Sequence, residues 1–122
     1  MGYLRMYADA EGASHFEETG FPLTPVESVP PAPPRLLAPL TPATGMAFIS
    51  IPAGYRGDWE PSPGRQLFFV LSGGLELTVS DGASRRVGAG DVVLMEDTAS
   101  RGHTSRILGG EAALTAVVQL AG

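Results

Sequence analysis

An all-β fold is the prediction for this 122-residue chain, and three observations make it. From Thr44 onward, short runs of valine, leucine, isoleucine and phenylalanine follow one another at close spacing. Between them stand Gly73-Gly74, Asp81-Gly82, Gly88-Ala89-Gly90 and Gly109-Gly110, residues that supply the positive φ angles of tight hairpins. No apolar stripe with the 3.6-residue helical period reaches useful length. Short strands with glycine turns and no helix predict an antiparallel sandwich or barrel.

The elements follow in order. Tyr3 to Phe16 mixes aromatic and acidic residues and predicts one or two short strands. Residues 22–42 hold eight of the eleven prolines, among them Pro30-Pro31 and Pro33-Pro34. Proline lacks the N–H that a central strand or a helix interior requires, so this stretch reads as extended, polyproline-like or edge structure. Residues 1–43 are therefore expected to be an extended arm of the same domain, and 44–122 the barrel. Strands are predicted over Met46–Ile51, Gln66–Leu71, Leu75–Ser80, Arg85–Val87, Val92–Met95, His103–Leu108 and Ala113–Leu120. Leu75, Leu77 and Val79 alternate with Glu76, Thr78 and Ser80, the pattern of a strand with one wet face.

Composition removes several function classes. The chain has no cysteine, which excludes disulfides, thiolate metal sites and a cysteine nucleophile. It has no lysine, so Schiff-base chemistry is excluded as well. Eight arginines against thirteen carboxylates give a net charge of −5, which argues against nucleic acid or an anionic membrane as partner. No apolar run approaches the ~20 residues of a transmembrane helix, and no signal peptide opens the chain. A cytoplasmic protein is expected.

One constellation carries chemical information. Gly54 is followed after five residues by Glu60, then Ser62, then Gln66, and after six more residues by Gly73. Further on, Gly88-Ala89-Gly90-Asp91-Val92-Val93-Leu94 reads as a turn into a strand, and His103 follows. These stretches resemble the two motifs of the cupin superfamily, in particular its small single-domain bacterial members. The first motif has His-x-His where Glu60 and Ser62 stand, and a glutamate where Gln66 stands. The second has a proline where Glu96 stands and a histidine two residues before His103. The resemblance covers about residues 44–120 and implies a cupin-type antiparallel β-barrel, a jelly roll or double-stranded β-helix.

The resemblance also implies a pocket inside the barrel. Cupin sites favour three histidines and a carboxylate around a transition metal; this chain offers Glu60, Gln66 and His103 at the corresponding places. Taken alone, His103 reads as a strand histidine satisfied by a carbonyl, and Glu60 as a solvent loop carboxylate. In the cupin frame His103 is the one ligand type retained, and Glu60 would point at the cavity, where desolvation suits it to proton transfer. Gln66 and Phe68 share a strand face, and the amide also has a structural reading as a hydrogen-bonded core group. Tyr55 and Trp59 flank Glu60 on a loop, and Arg101 shares parity with His103. Ser14-His15 near Glu17 invites a triad reading, rejected for want of nucleophile-elbow glycines.

Three functions remain open. In the first, Glu60 and His103 perform acid–base catalysis on a carbonyl-bearing small molecule, as an isomerase, lyase, dehydratase or cyclase. Gln66 would orient an oxygen; Tyr55, Trp59 and Phe68 would shape the pocket; Arg101 would meet an anionic group. In the second, the barrel binds or senses a small molecule without chemistry. In the third, a divalent transition metal sits on Glu60, Gln66 and His103. The first reading expects no cofactor. A homodimer is also expected, with residues 3–30 in a symmetric interface, because a proline-rich arm without its own core is best ordered against something larger.

Overall fold

The computed structural model describes residues 2–26, 29 and 32–122. Eleven strands are found among them: β1 (Gly2–Ala8), β2 (Ser14–Gly20), β3 (Thr24–Val26), β4 (Arg35–Leu37), β5 (Ala43–Ile51), β6 (Gln66–Ser72), β7 (Gly74–Val79), β8 (Ser84–Gly88), β9 (Val92–Glu96), β10 (His103–Ile107) and β11 (Ala113–Leu120). A six-stranded sheet runs β2-β1-β9-β6-β11-β5, and a three-stranded sheet runs β10-β7-β8. The core lies between them. Phe68 and Val70 of β6, Val93 and Met95 of β9, and Val117 of β11 meet Leu75, Leu77 and Val79 of β7 and Ile107 of β10. The predicted alternation in β7 holds, since Leu75, Leu77 and Val79 are buried and Glu76 and Thr78 are not.

Glycine is required where the two sheets connect. Gly73, between β6 and β7, has φ +77°, and a Cβ there would stand 2.8 Å from the Ala113 Cα. Only a residue without a side chain lets β11 approach this turn so closely.

Residues 2–20, expected as part of an extended arm, form two paired strands. β1 and β2 pair through seven registered residues, and β1 also pairs in parallel with β9, the single parallel pairing among the described strands. Met6 is fully buried and Leu4 and Phe16 pack on the core, so the segment has its own share of the interior. Its apolar residues were sparse enough to look like an appendage; the pairing with β9 supplies what local composition lacks. The Glu96 carboxylate ties the same region together, accepting from Arg5 Nε at 2.6 Å and from Arg65 Nε at 2.6 Å.

The described residues of the segment 21–42 include β3 and β4. These two strands pair only with each other, and Leu36, Leu37 and Leu40 are exposed. The Pro30-Pro31 pair lies outside the described residues. No helix among the described residues is long and apolar enough to cross a membrane.

Candidate functional site

Between the sheets lies a cavity of about 410 Å³. Its wall is mostly apolar, with Phe68, Leu75, Leu77, Met95 and Val117 contributing, and its polar residues are Ser50, Tyr55, Glu60, Gln66, His103 and Ser105. Five residues singled out in the sequence therefore share one cavity: Tyr55, Glu60, Gln66, Phe68 and His103. Trp59 and Arg101 are exposed and do not line it. A second concavity of about 370 Å³ lies near Tyr3, Arg85 and Asp91, but it holds no imidazole.

The loop between β5 and β6 reaches the cavity by pairing along β10. Ile107 N donates to Tyr55 O at 3.0 Å, and Gly57 N donates to Ser105 O at 2.8 Å. Glu60 and His103 form a two-way bridge, with Glu60 N donating to His103 O at 3.1 Å and His103 N to Glu60 O at 3.0 Å. This bridge depends on Gly102. Its φ is +93°, and a Cβ at this position would overlap the backbone of Glu60 and Pro61. Bridged residues present their side chains to one face of the sheet, and both of these line the cavity. Glu60 stands exposed at the mouth, so the desolvated setting expected for it is absent.

The strongest polar contact at the site was not anticipated. Asp97, fully buried, accepts a hydrogen bond from His103 Nδ1 at Oδ2 over 2.6 Å. Burial alone pushes the Asp97 carboxyl up. The hydrogen bond and charge of His103, with a weaker pull from the Ser62 hydroxyl, outweigh burial and hold it below its ordinary value. Ser62 Oγ and Asp97 Oδ1 are themselves buried without an aligned hydrogen bond. Asp97 begins a turn fixed by Ser100, whose Oγ donates to Asp97 O at 2.7 Å and accepts from Gly102 N at 2.8 Å. The β1–β2 hairpin braces that turn. Ser14 Oγ donates to Gly102 O at 2.7 Å, and Arg101 N donates to Gly12 O at 2.8 Å. Arg101 thus contributes its backbone here.

Gln66 has the structural partner that its amide called for. It is paired in register with Met95, and its Nε2 donates to Met95 Sδ at 3.4 Å. Ser14 and His15 are structural as well. His15 lies between Asp9, at 2.7 Å from Nε2, and Asp81, at 2.8 Å from Nδ1, while Glu17 pairs with Arg5 instead.

A family model described as a cupin domain matches residues 47–118. The chain belongs to the cupin family. Solved structures agree on the fold. A cupin 2 conserved barrel domain protein from Salinispora arenicola aligns with TM-score 0.51 and 20% identity, covering 83% of this chain and 76% of that one. The Schizosaccharomyces pombe Cnp3 cupin domain aligns with TM-score 0.50 and 17% identity, covering 98% of this chain and 88% of that one. No curated protein matches the chain.

Many cupins hold a metal, and the donor set of this cupin is unlike theirs. The three side chains at the family's ligand positions are a carboxylate at the cavity mouth, an amide committed to Met95 and an imidazole whose Nδ1 is held by Asp97. No group of three histidine, aspartate or glutamate side chains that could hold a metal ion occurs among the described residues. A single imidazole, a carboxylate at the mouth and a neutral amide held by Met95 do not fit a resident transition metal, which favours several imidazoles with a carboxylate. What this cupin's site offers instead is a single imidazole with an acid behind it. Nδ1 donates to Asp97, so Nε2 is the ring nitrogen left for the cavity.

Proposed function

We propose that the cavity takes a small, largely apolar molecule bearing a carbonyl group and that His103 moves a proton on it. The observation that carries this reading is the His103–Asp97 hydrogen bond, in which a buried carboxylate sits behind an imidazole that lines the cavity. An ionised Asp97 holds the proton on Nδ1, which leaves Nε2 with its lone pair as the base. Nε2 would remove a proton from the carbon next to the carbonyl, leaving an enolate. The imidazolium formed, stabilised by Asp97, would return that proton to carbon or oxygen. Tyr55 and Ser105 are cavity hydroxyls that would donate to the substrate oxygen, and Glu60 at the mouth would exchange protons with solvent. This is the chemistry of an isomerase, lyase, dehydratase or cyclase, with Asp97 in the supporting place and Glu60 moved from principal base to rim.

A second reading rests on the apolar walls. With Phe68, Leu75, Leu77, Met95 and Val117 around it, the cavity also suits a binding or sensing role without turnover. One experiment separates the two. The protein is incubated in D₂O with a panel of small ketones, and exchange of their α-protons is followed by NMR. Acid–base function predicts accelerated exchange for at least one ketone, lowered about 10²–10⁴-fold in His103→Asn. Thermal stabilisation by a panel member without accelerated exchange of any would favour the binding role and end the catalytic one.

A further inference from the structure

His15 stands between two carboxylates, and each of them is anchored by its own turn. Asp9 Oδ1 accepts from Glu11 N at 2.8 Å and from Ala13 N at 3.0 Å, which leaves Oδ2 to His15 Nε2 at 2.7 Å. Asp81 Oδ1 accepts from Ala83 N at 2.8 Å, which leaves Oδ2 to His15 Nδ1 at 2.8 Å. An imidazole donates to both only when it carries both protons. A neutral ring has one N–H and turns a lone pair toward the other carboxylate, whose own turn resists its swinging away. Tyr7 pairs with His15 across the hairpin, with ring centroids 5.4 Å apart. Glu11 shares the turn of Asp9, and Glu17, further along β2, is taken by Arg5. Arg85 acts on Asp81 from β8, and Arg101 brings its guanidinium to 3.9 Å from where a Gly12 Cβ would stand. These two cations oppose a charge on the ring; the carboxylates in direct contact outweigh them and hold the imidazole above its ordinary 6.5.

The clamp leads to the site. Ser14 N donates to Ser80 Oγ at 2.7 Å, and Ser80 N donates to Ser14 Oγ at 2.8 Å. Beyond them the same hairpin tip holds Arg101 N through Gly12 O and Gly102 O through Ser14 Oγ. Gly102 packs directly on Glu60–Pro61, and the next residue is His103, bridged to Glu60.

We propose that His15 is a positioning residue for His103 and that its proton is a switch. With both ring nitrogens protonated, His15 clamps the β1–β2 turn to the β7–β8 turn, and the 97–103 turn is pressed onto Glu60–Pro61. With the ring neutral, one carboxylate is released, Gly12 and Ser14 slacken their hold on Arg101 and Gly102, and the Glu60–His103 bridge loosens. The Asp97–His103 bond lies within the turn and travels with it. The switch therefore sets where the imidazole stands in the cavity and leaves its tautomer alone. The consequence for turnover rests on the proton-transfer reading above; the clamp does not.

Amide hydrogen exchange of the full chain, corrected for intrinsic rates, tests this on either side of the His15 titration, which the ring ¹⁵N signals locate. Protection of the Arg101 and His103 N–H groups should fall at least about 10-fold as His15 loses its proton, while protection in β6 and β11 changes less. His15→Gln should show no such step. Asp81→Asn should keep Arg101 protected at both pH values, because a neutral ring then donates to Asp9 and accepts from the new amide. His103→Asn should retain the Arg101 step. Arg101 protection unchanged across the His15 titration would overturn the proposal. An equal fall in β6 and β11 would overturn it as well, since His15 would then act on global stability alone. So would a step missing from His103→Asn, which would assign the change to His103 itself. No ketone enters this measurement, so a failure of the proton-transfer chemistry leaves its result readable.

Discussion

His103 Nδ1 and Asp97 Oδ2 stand 2.6 Å apart, with the carboxylate wholly buried and the imidazole on the cavity wall. Five residues of tight turn separate them, and that turn holds the pair in place. The carboxylate is internal to the fold and the imidazole lines the cavity, so loss of either has a consequence for stability.

Removing the imidazole leaves a buried carboxylate without its donor. His103→Ala should therefore cost about 1.5–3 kcal/mol in urea unfolding, the range for a hydrogen bond to a charged group. Asp97→Asn/His103→Asn should cost less than the two single changes added together, because neither partner is then a stranded charge. Additive losses would mean that the two side chains do not act as a pair.

Gly102 gives a purely conformational test. Ala at this position meets both the left-handed φ of +93° and the Glu60–Pro61 backbone, so Gly102→Ala should lose about 3 kcal/mol or more or fail to fold. Gly109 also has a positive φ, +74°, but open space around it. Gly109→Ala should cost only the roughly 1–2 kcal/mol of a left-handed alanine. Equal losses at the two positions would show that the Glu60–His103 bridge does not require the close approach.

The His15 cluster predicts a pH dependence with a definite sign. The hydrogen bond that His15 donates to Asp9, then the one it donates to Asp81, raises the imidazole above its ordinary 6.5. The hydrogen bond from His15, then that from the Ala13 backbone, lowers Asp9 to about 2. A raised imidazole stabilises the fold fully below 6.5 and loses its contribution as pH rises through the raised value. A lowered carboxyl contributes fully above its ordinary 3.8 and loses its contribution as pH falls toward about 2. The stability difference between wild type and His15→Gln should thus be largest between about pH 4 and 6.5 and shrink on either side. A difference that stays constant from acid to alkaline solution would mean that His15 is not a charged link between its two carboxylates.

How much of this could be read in the sequence follows from where the physical signal is local. The strands from Gln66 to Leu120 were legible to within two residues at each end, because each is bounded by its own turn glycines and filled by its own apolar residues. β1 and β2 were half legible. Their stability comes from pairing with β9, ninety residues away, and no local pattern records that partner. At the site, Glu60, Gln66 and His103 emerged from motif spacing, and the structure lines one cavity with all three. Asp97 did not emerge. In the run Glu96-Asp97-Thr98 it looks like a solvated turn acid, and only the folded turn shows it buried behind His103. An aspartate six residues before a lone strand histidine, across a turn containing Ser100 and Gly102, is the signal that was there to find.

The hydrogen bond to Asp97 fixes the His103 tautomer, and the imidazole nitrogens report this without knowledge of any ligand. The chain has two histidines, so ¹⁵N-labelled protein with His15→Gln as the assignment control isolates the His103 ring. In the neutral ring the account predicts a protonated Nδ1 and an unprotonated, acceptor-type Nε2, a preference lost in Asp97→Asn. A His103 ring carrying its proton on Nε2 in the wild type, unchanged by Asp97→Asn, would contradict it.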